Sequence, residues 1–241
     1  MSNQLLEPSR NEIWKMFDAI SSTYDKTNRF MTMGLDLYWR KKMSFFLPQG
    51  KDLSLLDCAT GTGDQIISLM QHSSSIKECV GIDLSEEMIS IAQKKIQKQL
   101  LANQVHLQIA SALELPFKED TFDCVTMSFG IRNVTSVETC LQEIFRVLKP
   151  GGRVLILETS IPKLRLIKML HIVYLRKILP YIGGWVSKQK KAYQYLNQTT
   201  EMFPSGELFC KKLQDTNFKA IQCHPLTLGA VSIYQADKPS C

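Results

Sequence analysis

A short apolar run that stops at a glycine-rich turn constrains this chain more than any other feature. The run covers residues 53–58 and ends in Ala-Thr-Gly-Thr-Gly-Asp, which places Gly61 and Gly63 in the turn. Such a run predicts a buried strand, and apolar residues at 66, 67, 69 and 70 predict that a helix follows. Glycine lets a backbone approach a ligand closely, and the start of a helix offers unpaired N–H groups. We therefore expect a strand–turn–helix unit whose turn binds a ligand.

The alternation of strands and helices continues along the chain. Apolar runs bounded by turn residues predict further strands at 79–83, 105–110, 122–129, 153–159, 218–223 and 226–234. Helical patterns lie at 65–71, 85–96, 136–148, 162–180, 188–197 and 207–216. This alternation favours an α/β fold with a parallel sheet and right-handed crossovers. The length of 241 residues predicts one domain. Helical patterns without strands predict a helical N-terminal lid over 1–50 and a helical insertion over 160–215.

Charge and composition narrow the possible partners. The net charge is +6, and between Arg146 and Lys191 there are eleven Lys or Arg but one acid, Glu158. Such a stretch faces nucleic acid, an anionic membrane surface or water. The chain has no apolar run of ~18 residues and no apolar N-terminal segment, so we expect a cytoplasmic protein. The seven cysteines include no Cys-x-x-Cys pair, which predicts reduced core thiols, and the four histidines show no metal-ligand spacing.

The acid that ends the second predicted strand indicates which ligand the turn binds. Asp83 lies 20 residues after Gly63, a position suited to accept hydrogen bonds from both hydroxyls of a ribose. A dinucleotide-binding turn needs a third glycine where this chain has Ile66. S-adenosylmethionine has no phosphate but carries an ammonium group, which Asp57 is placed to face. The residues therefore favour S-adenosylmethionine over a nicotinamide cofactor, and a turn without a ligand is the remaining alternative.

Three later stretches resemble class I S-adenosylmethionine-dependent methyltransferases. They are residues 111–117 after the third strand, 121–125 at the start of the fourth, and Leu-Lys-Pro-Gly-Gly at 148–152 before the fifth. The resemblance implies a Rossmann-like, doubly wound, mostly parallel seven-stranded sheet. It also implies the strand order 3-2-1-4-5-7-6, with an antiparallel seventh strand, which fits the number of predicted strands.

A closer resemblance covers nearly the whole chain. The sequence resembles the MenG/UbiE-type quinone C-methyltransferases, most specifically in Ser-Phe-Gly-Ile-Arg-Asn at 128–133. The other matching segments are 17–20, 24–29, 34–36, 39–40, 193–196, 203–204 and 226–229. This resemblance places the family's cofactor contacts at Thr62, Asp83, Ser111, Ala112 and Ser128, with Asp57, Gly61 and Gly63 shaping the pocket. Position 111 departs from the family, because many members have Asp or Asn there to hold the adenine amino group.

The resemblance implies methyl transfer from S-adenosylmethionine to a ring carbon of a prenylated quinol. Demethylmenaquinol is the expected substrate, and a ubiquinone precursor is the alternative. The ring must be reduced, and ionisation of one hydroxyl makes the adjacent carbon nucleophilic. A phenol has a pKa of ~10, so the protein should assist that ionisation. Arg132 is the candidate cation beside the developing phenolate, Asn133 and Tyr24 are candidates to hydrogen-bond the hydroxyls, and no metal is needed.

Other interpretations stay open at this stage. Arg132 can instead be a structural salt-bridge partner, Asn133 a helix N-cap, and Tyr24 a packing residue of the lid. The basic stretch also suits an RNA methyltransferase, although residues 128–131 replace the Asn/Asp-Pro-Pro-Tyr motif of that class. A cofactor-binding protein without activity is a further alternative. For the quinol enzyme we expect no nucleic-acid partner, transient contact with the inner face of the membrane through the insertion, and either a monomer or a homodimer.

Overall fold

The computed structural model describes residues 13–178, 199–200 and 202–240. The strands are β1 (Leu53–Cys58), β2 (Ile76–Asp83), β3 (Val105–Ile109), β4 (Phe122–Ser128), β5 (Leu148–Thr159), β6 (Lys219–Leu226) and β7 (Val231–Asp237). They form one sheet in the order β3-β2-β1-β4-β5-β7-β6. β7 runs antiparallel to both of its neighbours, and the other pairs are parallel. The predicted strand order and the antiparallel seventh strand are confirmed.

Helices cover both faces of this sheet. The described α-helices are α1 (Ile13–Met31), α2 (Leu35–Met43), α3 (Asp64–His72), α4 (Glu86–Lys98), α5 (Val137–Val147), α6 (Arg165–Val173) and α7 (Glu207–Asp215). A π-helical turn, Tyr174–Ile178, continues α6. Apolar side chains of α5 and α7 pack on one face of the sheet, and those of α2, α3 and α4 pack on the other. The architecture is therefore the Rossmann-like, doubly wound fold that the sequence predicts.

Burial on both faces explains why the central strands are apolar throughout. In β1, Leu56 packs in the cluster that contains α5, and Leu55 packs in the cluster that contains α2 and α3. Both side chains are fully buried. Alternate residues of a strand point to opposite faces, so Asp57 shares the side of Leu55. The only acid in this strand is thereby directed towards α2 and α3.

Serine caps determine where two of the helices begin. Ser85 Oγ accepts a hydrogen bond of 3.1 Å from the Met88 N–H at the start of α4, and Ser136 Oγ accepts one of 3.1 Å from the Thr139 N–H at the start of α5. These bonds satisfy N–H groups that have no partner within the helix. Because Ser85 follows β2 so closely, its cap places Asp83 beside the first turn of α4.

The structure differs from the sequence predictions most at the starts of two strands, β5 and β7. β5 begins at Leu148 rather than at 153, because Leu148 already pairs with Phe122 of β4. Gly151, at φ +77°, then turns the chain within the strand. β7 begins at Val231 rather than at 226. The intervening residues Thr227–Gly229 form a 3-10 turn with Leu228 in the left-handed region, at φ 57°.

The insertion after β5 is described only in part. The helix predicted over 162–180 is observed as α6 and its π-helical turn, and the helix predicted over 207–216 is observed as α7. The helix predicted over 188–197 and the motif at 193–196 lie outside the described residues. Within the described residues, the helices are too short or too polar to cross a lipid bilayer.

Polar bonds attach the N-terminal helices to the sheet domain. Asp18 on α1 accepts a hydrogen bond from Ser85, and Asp25 forms an ion pair with Lys95 on α4. Trp39 on α2 donates from Nε1 to Thr227 Oγ1 at 2.8 Å, which ties α2 to the loop before β7. These bonds hold α1 and α2 over the carboxyl ends of the parallel strands.

Gly152 in β5 provides a test of this packing. A Cβ atom at this position would lie 2.8 Å from the carbonyl oxygen of Lys149 and 3.2 Å from that of Asp123. Backbone oxygens within a sheet cannot move aside as a flexible side chain can. We expect Gly152→Ala to lower the free energy of unfolding by about 1–3 kcal/mol, as measured by urea denaturation.

Lys77→Ala is the control, because Lys77 lies exposed on β2. Its effect should stay within about 0.5 kcal/mol. An unchanged midpoint for Gly152→Ala would show that β5 can shift to admit the methyl group.

Candidate functional site

Two cavities and a small polar recess lie at the carboxyl ends of the parallel strands. The first cavity has a volume of about 270 Å³ and lies above the ends of β1, β2 and β4. The second cavity has a volume of about 260 Å³ and lies between α1, α2 and the α6 segment, which comprises α6 and the π-helical turn after it, residues 165–178. The recess holds about 20 Å³ beside the turn after β1. Phe17, Tyr24 and Phe129 line both large cavities and therefore form their boundary.

The two glycines of the turn have different roles. Gly61 adopts a φ of +56° and lines both the first cavity and the recess, and a Cβ there would meet no atom within 4 Å. Gly63 adopts a φ of +81° directly before α3, and its Cβ would lie 3.2 Å from the Cβ of Ala92 on α4. Gly61 thus leaves space for a ligand, whereas Gly63 allows the turn to pack closely against α4.

Asp83 joins the turn to the end of β2. Its Oδ2 accepts a hydrogen bond of 2.8 Å from the Gly61 N–H, and its Oδ1 accepts one of 2.9 Å from the Ser85 N–H. Burial raises the pKa of Asp83, and these backbone donors oppose the rise. A carboxylate can accept about four hydrogen bonds, so capacity remains for two ligand hydroxyls at the edge of the first cavity.

Asp57 is a buried acid with an unused oxygen. Thr126 donates from Oγ1 to Asp57 Oδ1 at 2.6 Å, and Oδ2 is buried without a hydrogen-bond partner in the described part of the chain. Burial raises the pKa of Asp57 to about 6. The residue lines the recess. An unsatisfied buried carboxylate oxygen is costly, so this geometry suits a cationic ligand group.

The remaining cofactor candidates surround the same space. Thr62 lines the recess and donates from Oγ1 to Asp25 Oδ1 at 2.6 Å. Ser128 lines the first cavity and the recess, and it donates to Gln65 Oε1 at 2.8 Å. Ser111 and Ala112 line the first cavity. Ser111 Oγ accepts a 3.1 Å bond from the Leu113 N–H, so this side chain supports its own loop.

The three catalytic candidates do not lie together in one cavity. Arg132 lines the second cavity, and its guanidinium forms a buried ion pair with Glu158 of β5. Asn133 lines the first cavity and donates from Nδ2 to the Phe129 carbonyl at 3.3 Å. It is not the cap of α5, because Ser136 has that position. Tyr24 lines both cavities and the recess.

Tyr24 and Arg132 differ in their electrostatic surroundings. Burial raises the pKa of Tyr24 above its usual value, and the nearby Arg40 guanidinium opposes that rise. The hydroxyl of Tyr24 therefore stays protonated at neutral pH. Glu158 compensates the charge of Arg132, whose Nε is buried without an acceptor in the described residues.

Sequence reasoning missed several residues that line this site. Arg40 and Gln65 line the recess, and His171, Tyr174 and Leu175 of the α6 segment line the second cavity. Arg40 belongs to the motif at 39–40, but nothing local in the sequence shows that α2 faces the turn after β1. The α6 residues carry no catalytic motif, so only their position in the fold reveals them.

Comparisons with known proteins identify the family to which the chain belongs. The model of the ubiE/COQ5 methyltransferase family matches residues 6–238. The ubiquinone/menaquinone biosynthesis C-methyltransferase UbiE of Geotalea daltonii is 40% identical over 230 residues, covering 94% of this chain and 96% of that protein. The demethylmenaquinone methyltransferase of Lactiplantibacillus plantarum is 34% identical over 238 residues, covering 99% of each chain.

Solved structures are similar at the level of the fold. The chain matches a methyltransferase of Thermotoga maritima that depends on S-adenosylmethionine, with a TM-score of 0.63, 20% identity, and coverage of 93% of this chain and 99% of that one. It matches another of Aquifex aeolicus with a TM-score of 0.64, 18% identity, and coverage of 88% and 97%. At such identities the structures show the fold alone. The matches in sequence, which extend over almost the whole chain, show that this protein is a methyltransferase of the ubiE/COQ5 methyltransferase family.

Proposed function

We propose that this enzyme transfers the methyl group of S-adenosylmethionine to a ring carbon of demethylmenaquinol. The observation that carries the proposal is the pair of cavities that meet at Tyr24 and Phe129. The first cavity has Asp83 and small residues that suit a nucleoside, and the second combines apolar side chains of α1, α2 and the α6 segment with the guanidinium of Arg132. A methyl donor and a prenylated ring held on either side of this boundary would react at close range.

The residues present fit S-adenosylmethionine in the first cavity and the recess. Asp83 would accept the ribose hydroxyls, and Ser111 and Ala112 would lie beside the adenine. Asp57 Oδ2, which is buried and unpartnered, would accept the ammonium group. When bound, the cofactor supplies an electrophilic methyl group on sulfur. Asn133 lies on this side of the boundary, so we place it against the cofactor rather than the quinol.

Arg132 and Tyr24 would bind the quinol oxygens in the second cavity. Glu158 engages Arg132 through Nη1, which leaves other guanidinium donors available. Because Glu158 compensates much of the charge, we propose that Arg132 acts as a directional donor to the quinol oxygen whose charge increases. The hydroxyl of Tyr24, which stays protonated, can donate a hydrogen bond to the same quinol oxygen or to the other oxygen of the quinol ring. Donors fixed before the reaction stabilise developing charge without reorganisation.

The α6 segment gives a route for the prenyl chain. His171, Tyr174 and Leu175 line the second cavity, while Leu166 and Leu170 on the same helix are exposed. The loop and helix also expose Leu164, Met169 and Val173. Each prenyl CH₂ exposed to water costs ~0.8 kcal/mol, so the enzyme should take its substrate at a membrane. We propose that α1 and α2 serve as the lid of the site and that the α6 segment contacts an anionic membrane surface.

The corner between α1 and α2 extends this surface. Phe30, Met33 and Leu37 are exposed there, and Met33 also lines the second cavity. Exposed apolar side chains at the rim of an apolar cavity are typical of a site that receives a lipid. The proposed membrane contact therefore includes this corner as well as α6.

Methyl labelling tests the proposed reaction. The enzyme is incubated with methyl-labelled S-adenosylmethionine and, separately, reduced demethylmenaquinone, a reduced ubiquinone precursor, or bulk RNA. We expect the label on the naphthoquinol ring, as identified by mass analysis of extracted lipid. Label only in the ubiquinone precursor would show that this precursor, and not demethylmenaquinol, is the substrate. Label only in RNA would refute the proposal.

The pKa of Asp57 predicts how cofactor binding depends on pH. Because burial raises this pKa to about 6, the carboxyl is ionised at pH 7.5 and mostly protonated at pH 5. Protonation removes the partner of the ammonium group, so we expect the Kd for S-adenosylmethionine to be roughly tenfold higher at pH 5 than at pH 7.5. Titration calorimetry at both values measures it.

Asp57→Asn is the control for this pH dependence. The amide oxygen can still accept from Thr126, so the strand should fold. The variant should bind the cofactor weakly at pH 7.5 and show little further loss at pH 5. A tenfold step that persists in Asp57→Asn would assign the titration to another group.

A paired substitution tests Arg132. Removing Arg132 alone leaves Glu158 buried without its partner, which typically costs about 3–5 kcal/mol of stability. The double variant Arg132→Leu with Glu158→Leu removes both charges. We expect turnover to fall by roughly 100-fold, while the Kd for S-adenosylmethionine changes little.

Stopped assays with saturating cofactor measure turnover, and titration calorimetry measures the Kd for S-adenosylmethionine, so the two effects are separated. Glu158→Gln alone is the comparison, because it keeps the donors of Arg132 in place. A double variant that retains the parent turnover would make Arg132 a structural residue.

The basic residues of the α6 segment predict salt-sensitive membrane binding. Arg165, Lys168 and Lys177 are exposed in this segment, whereas Lys163 forms an ion pair with Glu207 at 2.7 Å. Basic residues near an anionic surface contribute about 1 kcal/mol each before screening. We expect the triple change of Arg165, Lys168 and Lys177 to Gln to weaken sedimentation with phosphatidylglycerol vesicles at low salt by at least roughly tenfold.

Lys77, Lys94 and Lys98 provide a matched control. These exposed residues lie on β2 and α4, and their change to Gln alters the net charge equally. The control should sediment like the parent. Equal loss in both triple variants would mean that net charge, and not the α6 surface, drives the binding.

A further inference from the structure

Arg40 is a buried cation that the proposed reaction leaves unexplained. It lies on α2, and only 7% of the residue is exposed. It lines both the second cavity and the polar recess, with its guanidinium carbon 5.4 Å from the centre of the Phe129 ring. Its position in the fold is therefore the junction between the recess and the quinol side.

Arg40 forms no direct ion pair in the described part of the chain, although its charge lowers the pKa of Asp64 and of Asp57. Its Nε is buried without an acceptor. Asp64, which also lines the recess, is engaged by Arg29 and Lys95. Burial of an unpaired cation costs several kcal/mol, so a guanidinium in this position points to an anionic ligand.

Asp57 provides the complementary group across the recess. Both residues line it, and Asp57 Oδ2 is likewise buried without a partner. The two do not form an ion pair with each other, although the Arg40 charge lowers the pKa of Asp57. One unpaired cation and one unpaired anion facing the same small space match a ligand that carries both charges. An α-amino acid head group has this arrangement.

The recess is connected to the proposed nucleoside site. Ala59, Gly61 and Ser128 line both the recess and the first cavity. A ligand with a nucleoside in the first cavity could therefore extend its amino-acid end into the recess. A quinol is uncharged before it reacts, so it would not compensate Arg40 in the ground state.

We infer that Arg40 binds the carboxylate of the amino-acid end of S-adenosylmethionine, while Asp57 binds its ammonium group. This inference rests on the proposed cofactor and adds the residue that selects for its carboxylate. Arg40 is then a cofactor-binding residue, and a donor without the carboxylate leaves it unpaired. The site should discriminate strongly against such donors.

A cycle of two ligands and two proteins tests this assignment. S-adenosylmethionine and decarboxylated S-adenosylmethionine differ only in the carboxylate, and titration calorimetry gives their Kd values for the parent and for Arg40→Met. A charge-assisted hydrogen bond is worth about 10- to 100-fold in affinity, so we expect the parent to prefer the carboxylate by that factor. Arg40→Met should bind both ligands with nearly equal affinity, and Arg40→Lys should recover part of the preference.

Arg29→Met is the matched control for charge near the recess. Arg29 pairs with Asp36 and Asp64 and does not line the recess, so its removal should leave the preference for the carboxylate intact. A preference that persists in Arg40→Met would overturn the inference, and so would equal weakening of both ligands, which indicates a structural role. If one of these two results is obtained and the parent still methylates the quinol, the proposed function stands and only the role assigned to Arg40 is refuted. If the parent protein binds neither ligand, both the proposed function and the role of Arg40 are refuted.

Discussion

The hydrogen bond from the Gly61 N–H to Asp83 connects the two elements on which the site depends. It joins the turn after β1 to the end of β2, at 2.8 Å, and holds Asp83 at the edge of the first cavity. Parallel pairing of β1 with β2 makes this bond possible, because it brings both carboxyl ends to the same edge of the sheet. The Ser85 cap then fixes the start of α4 beside them. The edge of the first cavity, where we propose that the nucleoside binds, follows from these local constraints.

The buried charges divide into compensated and uncompensated groups, and the division separates structure from binding. Arg132 has Glu158 as its partner, and Asp64 has Arg29 and Lys95. Asp57 and Arg40 form no ion pair in the described part of the chain, and each also has a buried atom without a hydrogen-bond partner. A folded protein rarely leaves such groups unsatisfied unless a ligand completes them. Both uncompensated groups line the recess, which concentrates the unsatisfied charge where the cofactor's amino-acid end would lie.

The helices outside the sheet determine what the second cavity can receive. α1 and α2 are held by polar bonds to α4 and to the loop before β7, and α6 supplies side chains from the opposite wall. Because no residue of α6 is fully buried, the same segment can line the cavity on one side and leave Leu166 and Leu170 exposed on the other. In the function we propose, access for a lipid substrate would therefore depend on α1, α2 and the α6 segment and not on the sheet.

The sheet and the position of the candidate site at its edge could be predicted from the sequence, because local signals specify them. Glycines at 61 and 63, Asp83 and the alternation of apolar runs predict strand ends that meet at one edge. The boundaries of β5 and β7 could not be predicted, since they depend on pairing with β4 and on the left-handed turn at Leu228. The pairing of Arg132 with Glu158 and the placement of Arg40 opposite Asp57 also required the tertiary structure. These residues lie far apart in the chain, and only the packing of α2 and β5 against β1 and β4 decides which charges lie near one another.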